Sequence, residues 1–213
     1  GGCTSFELFR RWVVSDKKIL ELEKATKQTE LQQLKKQINP HFLFNMLNNA
    51  NILVKDAPDE ASQILEKLDN LLRYQLNDST RREVFLTADI QFLTSFLELE
   101  KVRRDHFEYT IFQEGNMENI CIPPLLFIPF VENAVKHNLD SDNLSYVHLY
   151  FSVHNKQLTF RCENSKPRVP VKREGGIGLA NVKRRLDLLY ESRYTLQIED
   201  KETTYNVNLH LNL

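Results

Sequence analysis

The sequence predicts an α+β protein in which an N-terminal coiled coil and a helical hairpin, paired in a dimer as a four-helix bundle, precede a two-layer α/β sandwich. Three observations carry this expectation. From Ser15 to Gln37 the residues are strong helix formers without proline or glycine, and Leu20, Leu31, Leu34 and Ile38 give only a thin apolar stripe. Such a stripe suits a two-stranded coil better than a globular core. Two helical patterns then follow, separated only by Asp56-Ala57-Pro58, which makes them an antiparallel hairpin. Beyond residue 84, helical spacing and strict alternation mix, as they do where helices cover one face of a sheet.

At about 100° per residue, His41, Asn45, Asn48 and Asn49 fall on one arc, and Phe42, Leu43, Met46, Leu47, Ala50, Leu53 and Val54 fill the opposite side. His41 is therefore expected to face outward. Leu31, Leu34 and Ile38 lie on the His41 side, so the apolar stripe changes face near Pro40. Pro40 removes a backbone donor and disfavours helix at Asn39, and a bend is expected there. Residues 59 to 76 form the second helix through Ile64, Leu65, Leu68, Leu71, Leu72 and Leu76, and the polar run Asn77 to Glu83 is a linker. Thr87 is placed to cap a helix running to about Arg103.

Alternation begins at Phe107, Tyr109 and Ile111. It returns at Val147, Leu149, Phe151 and Val153, turns at Asn155-Lys156, and resumes at Leu158, Phe160 and Cys162. A last hairpin pairs Tyr194, Leu196 and Ile198 with Tyr205, Val207, Leu209 and Leu211. The expected divisions are residues 1–36 (coil), 37–80 (hairpin) and 84–213 (sandwich).

The 213 residues suffice for one good core with a helical extension, and a hydrophobic content of 41% argues against disorder. A net charge of −1 gives no global attraction to nucleic acid or anionic membrane, so no direct nucleic-acid binding is expected. Cys3, Cys121 and Cys162 are odd in number, widely spaced and without histidines at ligand spacing, which indicates neither a disulfide framework nor a zinc site and fits a reducing compartment. No stretch reaches the roughly eighteen apolar residues of a membrane span. Phe6, Leu8, Phe9, Trp12, Val13 and Val14 flank Arg10 and Arg11, a mixture that suits either a segment just inside a membrane or a short packing helix.

Three stretches carry chemistry. Within QINPHFLFN, residues 37 to 45, His41 offers an imidazole, one of the few side chains that can be a neutral nucleophile near pH 7 and accept a group covalently. A solvated surface histidine would read the same. In PFVENAVKHN, residues 129 to 138, Phe130, Val131, Ala134 and Val135 keep helical spacing while Glu132, Asn133, Lys136, His137 and Asn138 gather polar groups within two turns. One face can then present an amide oxygen to Mg²⁺ and a cation to phosphates, although an amphipathic helix with a wet side needs no such role. In GGIGLANVKRRL, residues 175 to 186, Gly175, Gly176 and Gly178 lead into a helix through Leu179, Val182, Leu186 and Leu189. Glycines before a helix let bare N–H groups approach phosphate oxygens at its positive end. No Gly-Lys-Ser or Gly-Lys-Thr follows, so this is not a P-loop. The preceding Lys166 to Glu174 reads as a mobile lid with Pro167 and Pro170. From there to Arg185 the basic residues Lys166, Arg168, Lys172, Arg173, Lys183, Arg184 and Arg185 are opposed only by Glu174.

In order, QINPHFLFN, LLRYQL (71 to 76), PFVENAVKHN and GGIGLANVKRRL closely resemble the sensor histidine kinases of the LytS type, whose ATP-binding domain belongs to the superfamily of gyrase B, Hsp90 and MutL. The resemblance runs from about residue 30 to the C-terminus. It implies that the third division binds ATP, that His41 is the phosphoacceptor, and that Asn133 holds the Mg²⁺ bridging the nucleotide phosphates. It assigns Lys136 and His137 to the phosphate side and Gly176, Gly178 and Leu179 to the glycine turn beside ATP, with Asn181 opening the following helix. The adenine-reading aspartate of the superfamily is replaced, in the strand phase of Leu158, Phe160 and Cys162, by Asn164, whose carbonyl can accept from the adenine amino group but brings no charge. Phe42 stands where many histidine kinases of other families carry an acidic residue. Asn45, one turn on, is a candidate to orient the imidazole, and Glu132 is the candidate base. An ordinary surface amide and an ion pair with Lys136 are the competing readings of these two.

The resemblance implies a protein-histidine kinase that autophosphorylates His41 and passes the phosphoryl group to an aspartate of a response regulator, of the LytTR type. It further implies a homodimer forming the cytoplasmic portion of a bacterial inner-membrane protein, attached through an upstream segment. A catalytically silent nucleotide-binding scaffold and an ATPase clamp are the rival readings.

Overall fold

The computed structural model describes residues 40–138, 143–167 and 177–213, without the side chains of residues 40, 41, 177 and 178. The expected coil, the bend before Pro40, the lid from residue 168 to 174, Gly175 and Gly176 lie outside the described residues. Residues 38–213 belong to one compact unit.

Helix α1 runs Pro40–Asp56 and α2 runs Pro58–Asn77. Pro58 fits the first turn of α2, where its missing N–H would have no partner, and Asp59 and Glu60 sit at the positive end of the helix dipole. The seam between them is apolar: Phe42, Met46 and Ala50 of α1 and Ala61, Ile64, Leu68 and Leu71 of α2 are buried. The expected apolar arc of α1 is only partly used, because Leu47 and Val54 stay 46% and 53% exposed. Phe44 and Ile52 of α1 and Leu65 and Leu76 of α2 are exposed as well.

The linker tightens into a 3-10 turn at Asp78–Thr80 and then enters strand β1, Val84–Phe85, which pairs antiparallel with β3, Cys121–Ile122. Helix α3 spans Leu86–Arg103. Thr87 does not cap it. Phe85 is the N-cap residue without a side-chain bond, and the Leu86 N–H is satisfied instead by the Ile120 carbonyl at 2.8 Å, beside the β1–β3 pair.

Strands β2 (Phe107–Gly115), β4 (Ser145–His154), β5 (Gln157–Ser165), β6 (Tyr194–Asp200) and β7 (Thr204–Asn212) form one sheet in the order β2-β4-β5-β7-β6. The β2–β4 pair is parallel and the others are antiparallel. Asn155 and Lys156 both have positive φ, 48° and 63°, the conformation a two-residue hairpin turn requires. The last hairpin pairs Tyr194 with Leu211, Leu196 with Leu209 and Ile198 with Val207. One face of the sheet, carrying Val147, Leu149, Phe151, Leu158, Phe160 and Val207, is buried against helices α3 and α4 (Ile128–His137), and α5 (Ile177–Tyr190) packs beside α4. Phe160 centres this core, with ring centroids 4.5 Å from Phe127, 5.8 Å from Phe130 and 5.1 Å from Phe151. The result is the expected mixed α+β arrangement, helices first and then a mixed sheet. Among the described residues, no helix is long and apolar enough to cross a membrane.

Candidate functional site

Helix α4 carries the second chemical stretch. Its Phe130, Val131, Ala134 and Val135 are buried, which leaves Glu132, Asn133 and His137 half-buried and Lys136 exposed on the other side. Sequence spacing therefore placed Asn133, Lys136 and His137 on the accessible face, but Asn138 departs from that group. It is fully buried, and its amide nitrogen donates to the Tyr146 carbonyl at 3.0 Å.

Both ends of α4 are held by charged groups. At the C-terminal end, Arg104 donates to Asn138 Oδ1 at 2.9 Å, to the Asn138 carbonyl at 3.3 Å and to Ser145 Oγ at 2.6 Å, with its guanidinium 4.6 Å from the Phe107 ring centroid. A cation that ties up the last carbonyls of a helix also suits its negative pole. Ahead of the N-terminal end, Leu125 adopts φ 55°. That left-handed backbone is costly for leucine, and neighbours must hold it. The Leu125 N–H donates to Asp89 Oδ1 at 2.9 Å, while Arg185 Nη1 donates to the Leu125 carbonyl at 2.6 Å and Nη2 to that of Pro124. Tyr74 of α2 donates its hydroxyl to the same Asp89 Oδ1 at 2.6 Å. Burial pushes the Asp89 carboxyl up to about 6, and these two donors and the Arg185 charge oppose that rise.

None of Arg104, Asp89 or Arg185 was singled out for this work by sequence. A signal existed for the last two. Asp89 interrupts the apolar run of α3, and Arg185 falls between Val182 and Leu186 on the buried face of α5.

Glu132 faces the hairpin. With Gln75 of α2, Phe92 and Phe96 of α3 and Phe42 and Leu43 of α1, it lines a small open cleft with a cavity volume of ≈ 10 Å³. Burial alone pushes the Glu132 carboxyl up to about 7. Lys136 does not contribute to that shift, which removes the support for an ion pair between the two. Phe42, the residue after His41, is buried in the wall and packs on Phe96 with centroids 4.9 Å apart. The His41 side chain lies outside the described residues; its backbone is in the first turn of α1. Asn45, one turn further, is half-buried.

Asn164 is 1% exposed on the core face of β5, in the phase expected for it. Its Nδ2 donates to the Ser165 carbonyl at 2.8 Å, which fixes the direction of the amide and turns Oδ1 the other way. Helix α5 starts at Ile177, so Gly178 lies within its first turn and Asn181 one turn inside it rather than at its opening. Leu179 and Asn181 are half-buried. Two members of the basic run serve elsewhere: Lys166 bonds Asp200 at 2.8 Å and the Lys201 carbonyl at 2.6 Å, and Arg185 is buried. Among the described residues, no group of three histidine, cysteine, aspartate or glutamate side chains could hold a metal.

A helical hairpin packed against an α+β unit, with a polar helix at their junction, defines a class of protein that comparison makes specific. A family profile described as Histidine kinase matches residues 29–107. The sensor protein LytS of Staphylococcus haemolyticus is 30% identical over 203 residues, covering 88% of this chain and 35% of that protein. The sensor histidine kinase YpdA of Escherichia coli is 31% identical over 119 residues, 56% of this chain and 21% of its own. Among solved structures, the histidine kinase domain of the blue-light activated kinase EL346 from Erythrobacter litoralis matches 89% of this chain and 93% of its own, with 16% identity and a TM-score of 0.48. Over most of its length the chain is similar to sensor histidine kinases of the LytS type. It spans about a third or less of the length of these two sensor proteins.

Proposed function

We propose that the chain is the kinase core of a sensor protein, which binds Mg-ATP, phosphorylates its own His41 and passes the phosphoryl group to an aspartate of a response regulator. One observation carries this reading: among the described residues, the only titratable side chain lining the cleft between hairpin and α4 is Glu132, which shares that lining with the residue that follows His41. A carboxyl near pH 7 is poised to take a proton.

In the reaction, the lone pair of one imidazole nitrogen forms the N–P bond with the γ-phosphorus, and the bond to the bridging oxygen breaks with its electron pair leaving on ADP. The proton on the other ring nitrogen passes to Glu132. Asn45 orients the ring. The rest of the work is alignment and charge neutralisation. Lys136, His137, Gly176, Gly178 and Leu179 hold the phosphates together with Asn181, and Asn164 Oδ1 accepts from the adenine amino group. Asn133 offers a hard amide oxygen on the accessible face of α4, which fits Mg²⁺, an ion that takes few protein ligands and completes its shell with phosphates and water. When bound, Mg²⁺ neutralises charge developing on the phosphates.

The exposed apolar residues of the hairpin support a dimer, with Leu65, the half-buried Leu72 and Leu76 forming an open stripe along α2. The response regulator is proposed to be of the LytTR type, and the chain to be the cytoplasmic part of a membrane protein.

Incubation with γ-labelled ATP tests the reading. Acid-labile, base-stable label on the wild type that is absent from His41→Gln supports it. ATP binding without label points to a silent scaffold, and steady hydrolysis without phosphoprotein to an ATPase clamp.

A further inference from the structure

Contacts between the hairpin and α3 include two that end on α3. Lys67 pairs with Glu98 at 3.0 Å, and Phe42 packs on Phe96. The bond from Tyr74 reaches further. Tyr74 is buried and stacked on Phe92 with centroids 4.8 Å apart, which points its hydroxyl at Asp89. The Asp89 oxygen that accepts this hydroxyl at 2.6 Å also accepts the Leu125 N–H at 2.9 Å. A single buried atom thus joins α2 to the left-handed turn that leads into α4.

Stability alone does not account for this cluster. Asp89 and Arg185 are both buried, and Asp89 Oδ2 and Arg185 Nε have no hydrogen-bond partner among the described residues. Buried charges with open valences cost free energy that apolar side chains of similar shape would not. What they supply is geometry. A carboxylate oxygen accepting two donors and a guanidinium donating to two carbonyls fix directions, whereas apolar contacts can slide. Together Asp89 and Arg185 hold both peptide groups that flank Leu125, whose φ of 55° needs such support. Helix α4, with Glu132 and Asn133, sets out from that turn.

We propose that Tyr74 is a positioning residue for phosphoryl transfer: through Asp89 and Leu125 it keeps α4 in register with the hairpin that displays His41. This rests on the reading of His41 as phosphoacceptor and of α4 as a nucleotide-binding helix. The Tyr74 hydroxyl is spent on Asp89, so its effect on the reaction is one of alignment. Alignment governs the rate of an in-line transfer more than the hold on nucleotide.

Amide hydrogen exchange, followed by NMR in the whole chain without nucleotide, compares wild type with Tyr74→Phe, which removes one hydroxyl and keeps the ring. Exchange at Leu125 should speed up about tenfold more than at Phe160 in the middle of the sheet. Equal acceleration at both positions means that Tyr74 adds only to global stability and overturns the proposal, as does an unchanged rate at Leu125. Should Tyr74→Phe not fold, Asp89→Asn weakens the same acceptor by removing its charge and takes its place. In autophosphorylation, the variant should lower kcat about tenfold with KM for ATP within about twofold. An unchanged kcat, with or without a raised KM, overturns the positioning role. Absence of any phosphohistidine in the wild type would instead sink the kinase reading, with the exchange rates still deciding whether Tyr74 holds the turn.

Discussion

At residue scale, the informative side chains are carboxyls held out of water. Glu132 should be a working base only once ionised, so the rate of autophosphorylation is expected to rise between pH 6 and 8 around a midpoint of about 7. Glu132→Gln should lower the rate by about 100-fold and flatten that rise; a variant that retained the wild-type profile would remove Glu132 from the mechanism. Asp89 gives a stability prediction. Its folded titration at about 6 lies above that of an unfolded aspartate near 4, so the folded form binds the extra proton. Its contribution is fully present below about pH 4 and is lost as pH rises through about 6. Asp89→Asn keeps an oxygen to accept from Tyr74 and Leu125 but cannot ionise. In urea titrations, the unfolding free energy of this variant relative to wild type should therefore increase from pH 4 to 6. A difference that is flat with pH would contradict the burial argument.

At the scale of elements, β2 ends at Gly115, with φ 88° and no room for a side chain: a Cβ there would meet the Val153 carbonyl oxygen at 2.2 Å. Gly115→Ala should cost about 2 kcal/mol or more, since both the backbone conformation and the close approach of β4 resist it. A midpoint of chemical unfolding equal to wild type would show that the strand end simply opens.

Much of this scale was legible in the sequence. Alternation located β2, β4, β5, β6 and β7, Asn155-Lys156 marked a turn, and apolar spacing gave α1 to α5. What escaped depends on distant partners. Two-residue strands such as β1 and β3 have no readable period, and the N-terminus of α3 is satisfied by the Ile120 carbonyl, which lies 34 residues away in sequence and removes the need for a Thr87 cap. In the site, periodicity placed Asn133, Lys136 and His137 on an accessible face because only the residue's own helix matters there. It misread Asn138 and Arg185, whose burial depends on Arg104, Tyr146 and the Pro124-Leu125 turn, groups that come together only on folding.

At the scale of the whole molecule, the hairpin leaves large apolar side chains in water, among them Ile52 at 69% and Leu76 at 63% exposed. A second copy covering these residues would bury them as a bundle core. Sedimentation equilibrium should report a dimer, and Ile52→Asp with Leu65→Asp should weaken it by about 100-fold or more, since charged groups would be brought into a dry seam. A monomeric wild type at micromolar concentration would refute the bundle.

The short β1–β3 ribbon bears on how freely the sheet unit can move against the hairpin. Val84 pairs with Ile122 only four residues after the 3-10 turn that follows α2, so backbone hydrogen bonds fix the far end of the linker, and only residues 81–83 lie outside a helix or strand. Three residues reach at most about 10 Å. Over so short a span the connection acts as a pivot, and the sheet unit cannot wander from the hairpin as the end of a long polymer tether would.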